Sequence, residues 1–208
     1  VFADFCGIPA TVIPLESDFT IDAKKYHGID RLIVIANPNA PTGLSISLAD
    51  IEGILKTNPN AVIAIDEAYV DFGGKSAYPL MEKYDNLIVV RTFSKSRSMA
   101  GGRLGYALGP AALMADLEKI KYATNPYNVN RLTLRLGEAT VDAEPYYREK
   151  CAAIIRTREE TAERLKELGF TVLPSQTNFL FVKTDKIGGR ALYEKLKDRG
   201  ILVRHFGN

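Results

Sequence analysis

The chain has 208 residues, 46% hydrophobic and 25% charged, the composition of a water-soluble globular protein with room for one large domain or a domain and a companion. Lysine and arginine (27) nearly balance aspartate and glutamate (25), and a net charge of +2 argues against nucleic acid or a membrane surface as partner. No apolar run approaches the roughly 20 residues of a membrane span, and no signal-peptide pattern opens the chain.

In chain order, short runs rich in Val and Ile alternate with helical patterns. TVIPL (11–15), RLIVIAN (31–37), AVIAIDEA (61–68) and NLIVVRTF (86–93) read as strands, nearly continuous in apolar character and so buried on both faces of a parallel sheet. Ser47 caps a helix that carries Leu48, Ile51, Ile54 and Leu55 on one face, with Asp50 in its first turn. Residues 110–122 form a second helix, opened by Pro110, with Leu113, Leu117 and Ile120 at helical spacing. These βαβ units predict an α/β fold, a three-layer α/β/α arrangement around a mostly parallel sheet.

From about Ala139 the texture changes. Residues 145–168 read as one long charged helix stopped by Gly169, its Glu/Arg-rich face at 156–167 lying in solvent. FTVL, NFLFVKT, a helix with Leu192 and Leu196 stopped by Gly200, and a strand ILVRHF complete a partial α+β unit. The predicted division is 1–138 for the large domain and 139–208 for the small one, with a soft boundary at 138–145. The chain starts at Val1 and stops at Asn208 directly after a strand-like run, which suggests a piece of a longer protein.

Cys6 and Cys151 stand in no metal or redox spacing and read as two buried thiols in a reducing compartment, so the expected location is the cytoplasm. With His27 and His205 the only histidines, no metal site is expected.

Ligands of open α/β sheets bind beyond the carboxyl ends of the strands. Three clusters stand there: NPNAPTG (37–43), DEAY (66–69) and TFSK (92–95) with Arg103 eight residues on. Each is weak alone. Together they supply what pyridoxal 5'-phosphate requires: a lysine amine for a Schiff base, a carboxylate for the pyridine nitrogen, a donor near the ring hydroxyl, and hydroxyls with an arginine for the phosphate. Lys95, Asp66, Tyr69, and Thr92 with Ser94 and Arg103 fill that inventory.

These clusters, in this order, resemble the fold type I aminotransferases. NPYNVNRLT (125–133) with TFSK…GGRLGY is similar to their histidinol-phosphate aminotransferase branch, as are SQTNFLFVK (175–183) and RGILVRHF (199–206). The resemblance implies that Lys95 forms the Schiff base and shuttles the substrate proton. It implies that Asp66 pairs with the pyridine nitrogen, Tyr69 with the ring oxygen, and Ser94, Arg103 and Thr92 with the phosphate. The family places an asparagine directly before PTG. Here Ala40 stands there, so either Asn39 takes that role or Tyr69 carries the ring oxygen alone. Tyr127, Asn128 and Asn178 are substrate candidates.

The implied reaction joins histidinol phosphate and 2-oxoglutarate to imidazole acetol phosphate and glutamate, in a homodimer with a small-molecule substrate. Alternatives are an aromatic or broad-range aminotransferase, a threonine-phosphate-type decarboxylase of the same fold, and a non-catalytic cofactor-binding fragment. The family's substrate-carboxylate arginine falls beyond Asn208, so this stretch alone is expected to turn over little or nothing. A dehydrogenase is disfavoured because no GxGxxG follows any strand.

Overall fold

A computed structural model describes residues 2–206. The chain ends at Val1 and Gly207–Asn208, on which the sequence reading of a piece rests, lie outside the described residues. The elements in order are a short helical turn α1 (Phe2–Phe5), strand β1 (Ile33–Ala36), helix α2 (Leu48–Thr57), strands β2 (Ile63–Asp66), β3 (Leu87–Thr92) and β4 (Gly105–Leu108), helices α3 (Ala111–Thr124), α4 (Arg131–Asp142) and α5 (Glu144–Glu167), strands β5 (Thr171–Val172) and β6 (Val182–Lys183), and helix α6 (Gly189–Asp198).

Strands β1 to β4 form a four-stranded sheet in sequence order. β1, β2 and β3 are parallel, with Ile33 opposite Ile63 and Ile63 opposite Leu87, whereas β4 returns antiparallel to β3. A parallel connection needs about a dozen or more residues, usually with a helix on the sheet face. Residues 93–104 contain only a 3-10 turn, Ala100–Gly102, so the chain closes as a long hairpin instead.

The core lies on one face of this sheet. Ile33, Ile35, Ile63, Ile65, Leu87 and Val89 point one way and meet Ile51, Ile54 and Leu55 of α2. Helix α2 starts at the predicted Ser47 cap, which the structure completes as a capping box: Ser47 Oγ accepts from Asp50 N–H at 3.1 Å and Asp50 Oδ2 accepts from Ser47 N–H at 3.2 Å. The opposite face departs from the expectation of strands buried on both sides. Val34 is 65% exposed there and Val90 38%, whereas Ile88 on the same face of β3 is 8% exposed.

Other departures follow from local chemistry. TVIPL and ILVRHF belong to no strand. Pro14 removes a ladder donor from the first, and Val12 is largely exposed. Cys151 is buried as expected, but Cys6 is exposed. Burial above all, then the charge of Asp71, raises the Cys151 thiol above its ordinary value and disfavours the reactive thiolate. Arg158, on the face of α5 expected to lie in solvent, is buried.

Helix α4 has no counterpart in the sequence reading. It buries Thr133, Gly137 and Thr140 and exposes Leu132, Leu134 and Leu136. Its inward face is made of small residues so that it can approach the hairpin: a Cβ on Gly137 would stand 2.5 Å from Leu104 Cδ2.

Candidate active site

Parallel register brings the carboxyl ends of β1, β2 and β3 to one edge. Ala36 lies opposite Asp66, and Asp66 opposite Val90. Two cross-strand bonds extend the alignment, from Asn37 N–H to Asp66 O at 2.9 Å and from Glu67 N–H to Val90 O at 2.8 Å. The three clusters singled out in the sequence therefore open on the same side of the sheet.

The hairpin after β3 carries Lys95 on a tightly bonded loop. Ser94 N–H donates to Thr92 Oγ1 at 3.0 Å, Phe93 N–H to Leu104 O at 3.0 Å, Ser98 N–H to Lys95 O at 3.0 Å and Met99 N–H to Phe93 O at 2.9 Å. The two residues after Lys95 anchor it. Buried Ser96 bonds Asp71, in the loop after β2. Arg97 pairs with Glu144, donates to Thr140 O at 3.3 Å and lies 5.3 Å from the Tyr147 ring centre, fixing the hairpin to the start of α5. The hydrogen bond from Arg97, with its charge, lowers the Glu144 carboxyl below its ordinary value.

The half-buried Lys95 ammonium stands 4.9 Å from the ring centre of Tyr69, and no described residue accepts a hydrogen bond from it. Tyr69 is braced by Phe179, with the ring centres 5.1 Å apart and the rings edge to face. Asp66 uses Oδ1 to accept from Ala68 N–H at 2.9 Å, which shapes the turn leading to Tyr69. The neighbouring carboxylate is structural. Buried Glu67 accepts from Ser76 Oγ, from Ala77 N–H at 2.6 Å, and from Arg91 Nε and Nη2 at 3.0 and 2.9 Å. Burial works to lower the Arg91 value, but the charge and hydrogen bonds of Glu67 outweigh it and raise it.

The remaining candidates divide. Thr92 Oγ1 is engaged within the hairpin, accepting from Ser94 N–H and donating to Leu104 O at 3.4 Å, whereas no described residue bonds the Ser94 hydroxyl. Arg103 is exposed in a left-handed conformation (φ 52°) and, among the described residues, donates only to Ala100 O at 3.1 Å. Asn39 Oδ1 is taken up in its own turn by Thr42 Oγ1 at 2.8 Å. Tyr127, 92% exposed, and Asn128 lie between α3 and α4, apart from the Lys95 cluster in every hydrogen bond and ring contact of the described residues. Asn178 is exposed, but its loop is docked on the site: Gln176 N–H donates to Gly43 O at 2.8 Å.

That docking needs a glycine. Gly43 has φ +81°, and a Cβ there would stand 2.6 Å from Ser175 Oγ. Gly43→Ala is expected to cost about 1 kcal/mol or more through backbone strain and to release the 175–179 loop. Urea unfolding and faster amide exchange at Gln176 measure both effects.

Sequence reasoning missed Glu67, Arg91, Ser96, Arg97 and Arg158. A charged residue whose partner is distant leaves no local pattern; only DEAY, with two adjacent acids after an apolar strand, hinted that one of them has a structural role.

Residues 3–208 match the family model for aminotransferase class I and II. The chain belongs to that family. It is 48% identical over 207 residues to a histidinol-phosphate aminotransferase of Brachyspira hyodysenteriae, covering 99% of this chain and 58% of that protein. The structure of histidinol-phosphate aminotransferase from Sinorhizobium meliloti in complex with pyridoxal-5'-phosphate superposes with a TM-score of 0.84 at 26% identity, covering 97% of this chain and 57% of that one. A decarboxylase from Sulfurospirillum multivorans superposes at 0.78 with 29% identity, covering 92% and 59%. The chain thus spans less than two thirds of the length of these relatives.

Proposed function

We propose that this chain carries the cofactor-binding part of a pyridoxal 5'-phosphate-dependent aminotransferase. The observation that carries the reading is the alignment of Asp66, Tyr69 and the Lys95 hairpin on one sheet edge, with the Lys95 amine against the Tyr69 ring. The donor set fits the cofactor. Among the described residues Lys95 offers an amine with no hydrogen-bond acceptor, Asp66 keeps one carboxylate oxygen outside its turn, and Ser94 and Arg103 offer an unbonded hydroxyl and an exposed guanidinium. When bound, the cofactor's protonated ring would serve as the electron sink for a substrate carbanion.

Around it each residue has a separate task. Lys95 Nζ is the amine that would hold the cofactor by its aldehyde group and carry the proton to and from the substrate carbon. Asp66 would keep the ring nitrogen protonated. Tyr69 would hold the ring oxygen, while Ser94 and Arg103, with Thr92 less free to take part, hold the phosphate. Asn39 has its oxygen committed to Thr42 and retains only its amide N–H groups for this purpose.

For the substrate we infer histidinol phosphate, with 2-oxoglutarate as acceptor, supported by the 48% identity to a protein of that name. Tyr127, Asn128 and Asn178 are the proposed substrate contacts. The division into 1–138 and 139–208, a homodimeric whole enzyme and a cytoplasmic location belong to the same reading. A decarboxylase is the second reading, favoured by the Sulfurospirillum multivorans neighbour. Residues serving the ring do not separate the two, since they do not touch the substrate side chain.

The test compares single-turnover amino transfer from histidinol phosphate, phenylalanine and threonine phosphate, using the full-length protein loaded with cofactor. Preference for histidinol phosphate supports the specific reading. Equal rates remove it while leaving the class, and release of carbon dioxide from threonine phosphate favours the decarboxylase.

A further inference from the structure

Helix α5 is mostly a charged rod in solvent, yet the Arg158 side chain is only 8% exposed. A guanidinium is withdrawn from water only where its donors are satisfied. Here Nη1 donates to two main-chain carbonyls, Phe72 O at 2.8 Å and Thr177 O at 2.7 Å, and Nε and Nη2 both reach Glu159 Oε1 at 2.9 and 2.6 Å. Glu159 is solvent-exposed and supplies the counter-charge from the rim.

The two carbonyls are not arbitrary. Phe72 ends the 3-10 turn Val70–Phe72 that begins directly after Tyr69. Thr177 lies two residues before Phe179, whose ring braces Tyr69 edge-on. One nitrogen thus ties together the turn that Tyr69 opens and the loop that supports its ring. Tyr69 in turn covers Lys95.

We propose that Arg158 is a positioning residue that holds Tyr69 against Lys95 and thereby couples the 175–179 loop to the Lys95 amine. The coupling matters for catalysis only if Lys95 is the reactive amine of the proposed function, but it can be measured without cofactor. Disturbance of the 175–179 loop, which carries the substrate candidate Asn178, would then reach Lys95 through Tyr69.

The experiment is trace acetylation of the cofactor-free protein with acetic anhydride at fixed pH. Peptide mass spectrometry reads the Lys95 yield against that of Lys119, which is 77% exposed on α3. Arg158→Met is expected to raise the Lys95 to Lys119 ratio roughly two- to five-fold, the equivalent of losing one cation–π contact at a partly exposed site. Tyr69→Leu should raise it as much, and the double variant no further. Arg158→Lys, which can keep one carbonyl bond, should fall between wild type and Arg158→Met.

A lower melting temperature with an unchanged ratio would show that Arg158 is structural only, and single effects that multiply in the double variant would also overturn the coupling. If Arg158→Met does not fold, Arg158→Lys and Arg158→Gln give the same readout. Borohydride reduction with pyridoxal 5'-phosphate separates the two proposals. No adduct at Lys95 removes the proposed function and leaves the coupling to the acetylation ratio. An adduct with an Arg158-independent ratio removes the coupling alone.

Discussion

Lys95→Ala is expected to abolish covalent capture of pyridoxal 5'-phosphate and to slow amino transfer in the full-length enzyme by about 10²–10⁴-fold, the usual contribution of one positioned proton-transfer group. Structure makes this a clean substitution. The hairpin is held by Ser96 to Asp71, by Arg97 to Glu144, and by main-chain bonds that do not involve the Lys95 side chain. What the fold loses is the contact with Tyr69, worth about 1 kcal/mol or less, so melting should change little. Borohydride reduction followed by peptide mapping reads the capture, and an adduct on another lysine in the wild type would refute the assignment. Lys95→Arg sharpens the comparison: it keeps a cation near the Tyr69 ring but offers no nucleophile, and should retain stability without capture. Added methylamine should restore part of the turnover of Lys95→Ala, since a small amine can carry the proton but cannot repair a packing defect.

The sequence made the sheet edge legible because its signals are local. An apolar β-branched run ending in Asp66, and another ending at Thr92, mark both the strand and the place where chemistry can begin. The capping box at Ser47 is equally local. Helix α4 shows the opposite case: Leu132, Leu134 and Leu136 alternate as in a strand, and the inward face is Thr133, Gly137 and Thr140, which no hydrophobic period detects. The supports of the site fail for another reason. Ser96 finds Asp71 25 residues away, Arg97 finds Glu144 47 away, and Arg158 reaches Phe72 O across 86. Charged and hydroxyl residues in SKSR and TREE look like ordinary surface until the fold supplies their partners. Asn39 illustrates the limit within a motif, since its side chain closes the turn it belongs to.

Glu67→Ala is expected to destabilise the fold by about 3–5 kcal/mol, the cost of removing one partner from a buried ion pair. The Glu67 side chain is 1% exposed and that of Arg91 23%, so the guanidinium left behind would be only partly hydrated. Two further donors, Ser76 Oγ and the Ala77 N–H, would lose their acceptor, and Ala77 is itself fully buried. Urea unfolding of the chain measures the loss. Glu67→Gln should be milder, because the amide oxygen can still accept from Ala77 N–H and one Arg91 nitrogen, although the charge-assisted fork is gone. Asp71, with its carboxylate 3.9 Å from Arg91, partly compensates the charge but lies at the more exposed end of the pair. The effect should extend beyond stability. Glu67 joins the strand end at Asp66 to residues 76–77, and the loop between them holds Tyr69 and Asp71, the partners of Lys95 and Ser96. Loosening that loop in the milder Glu67→Gln variant should therefore weaken capture at Lys95 even where the chain remains folded. Unchanged capture in a measurably destabilised Glu67→Gln would show that the ion pair supports the core and not the site.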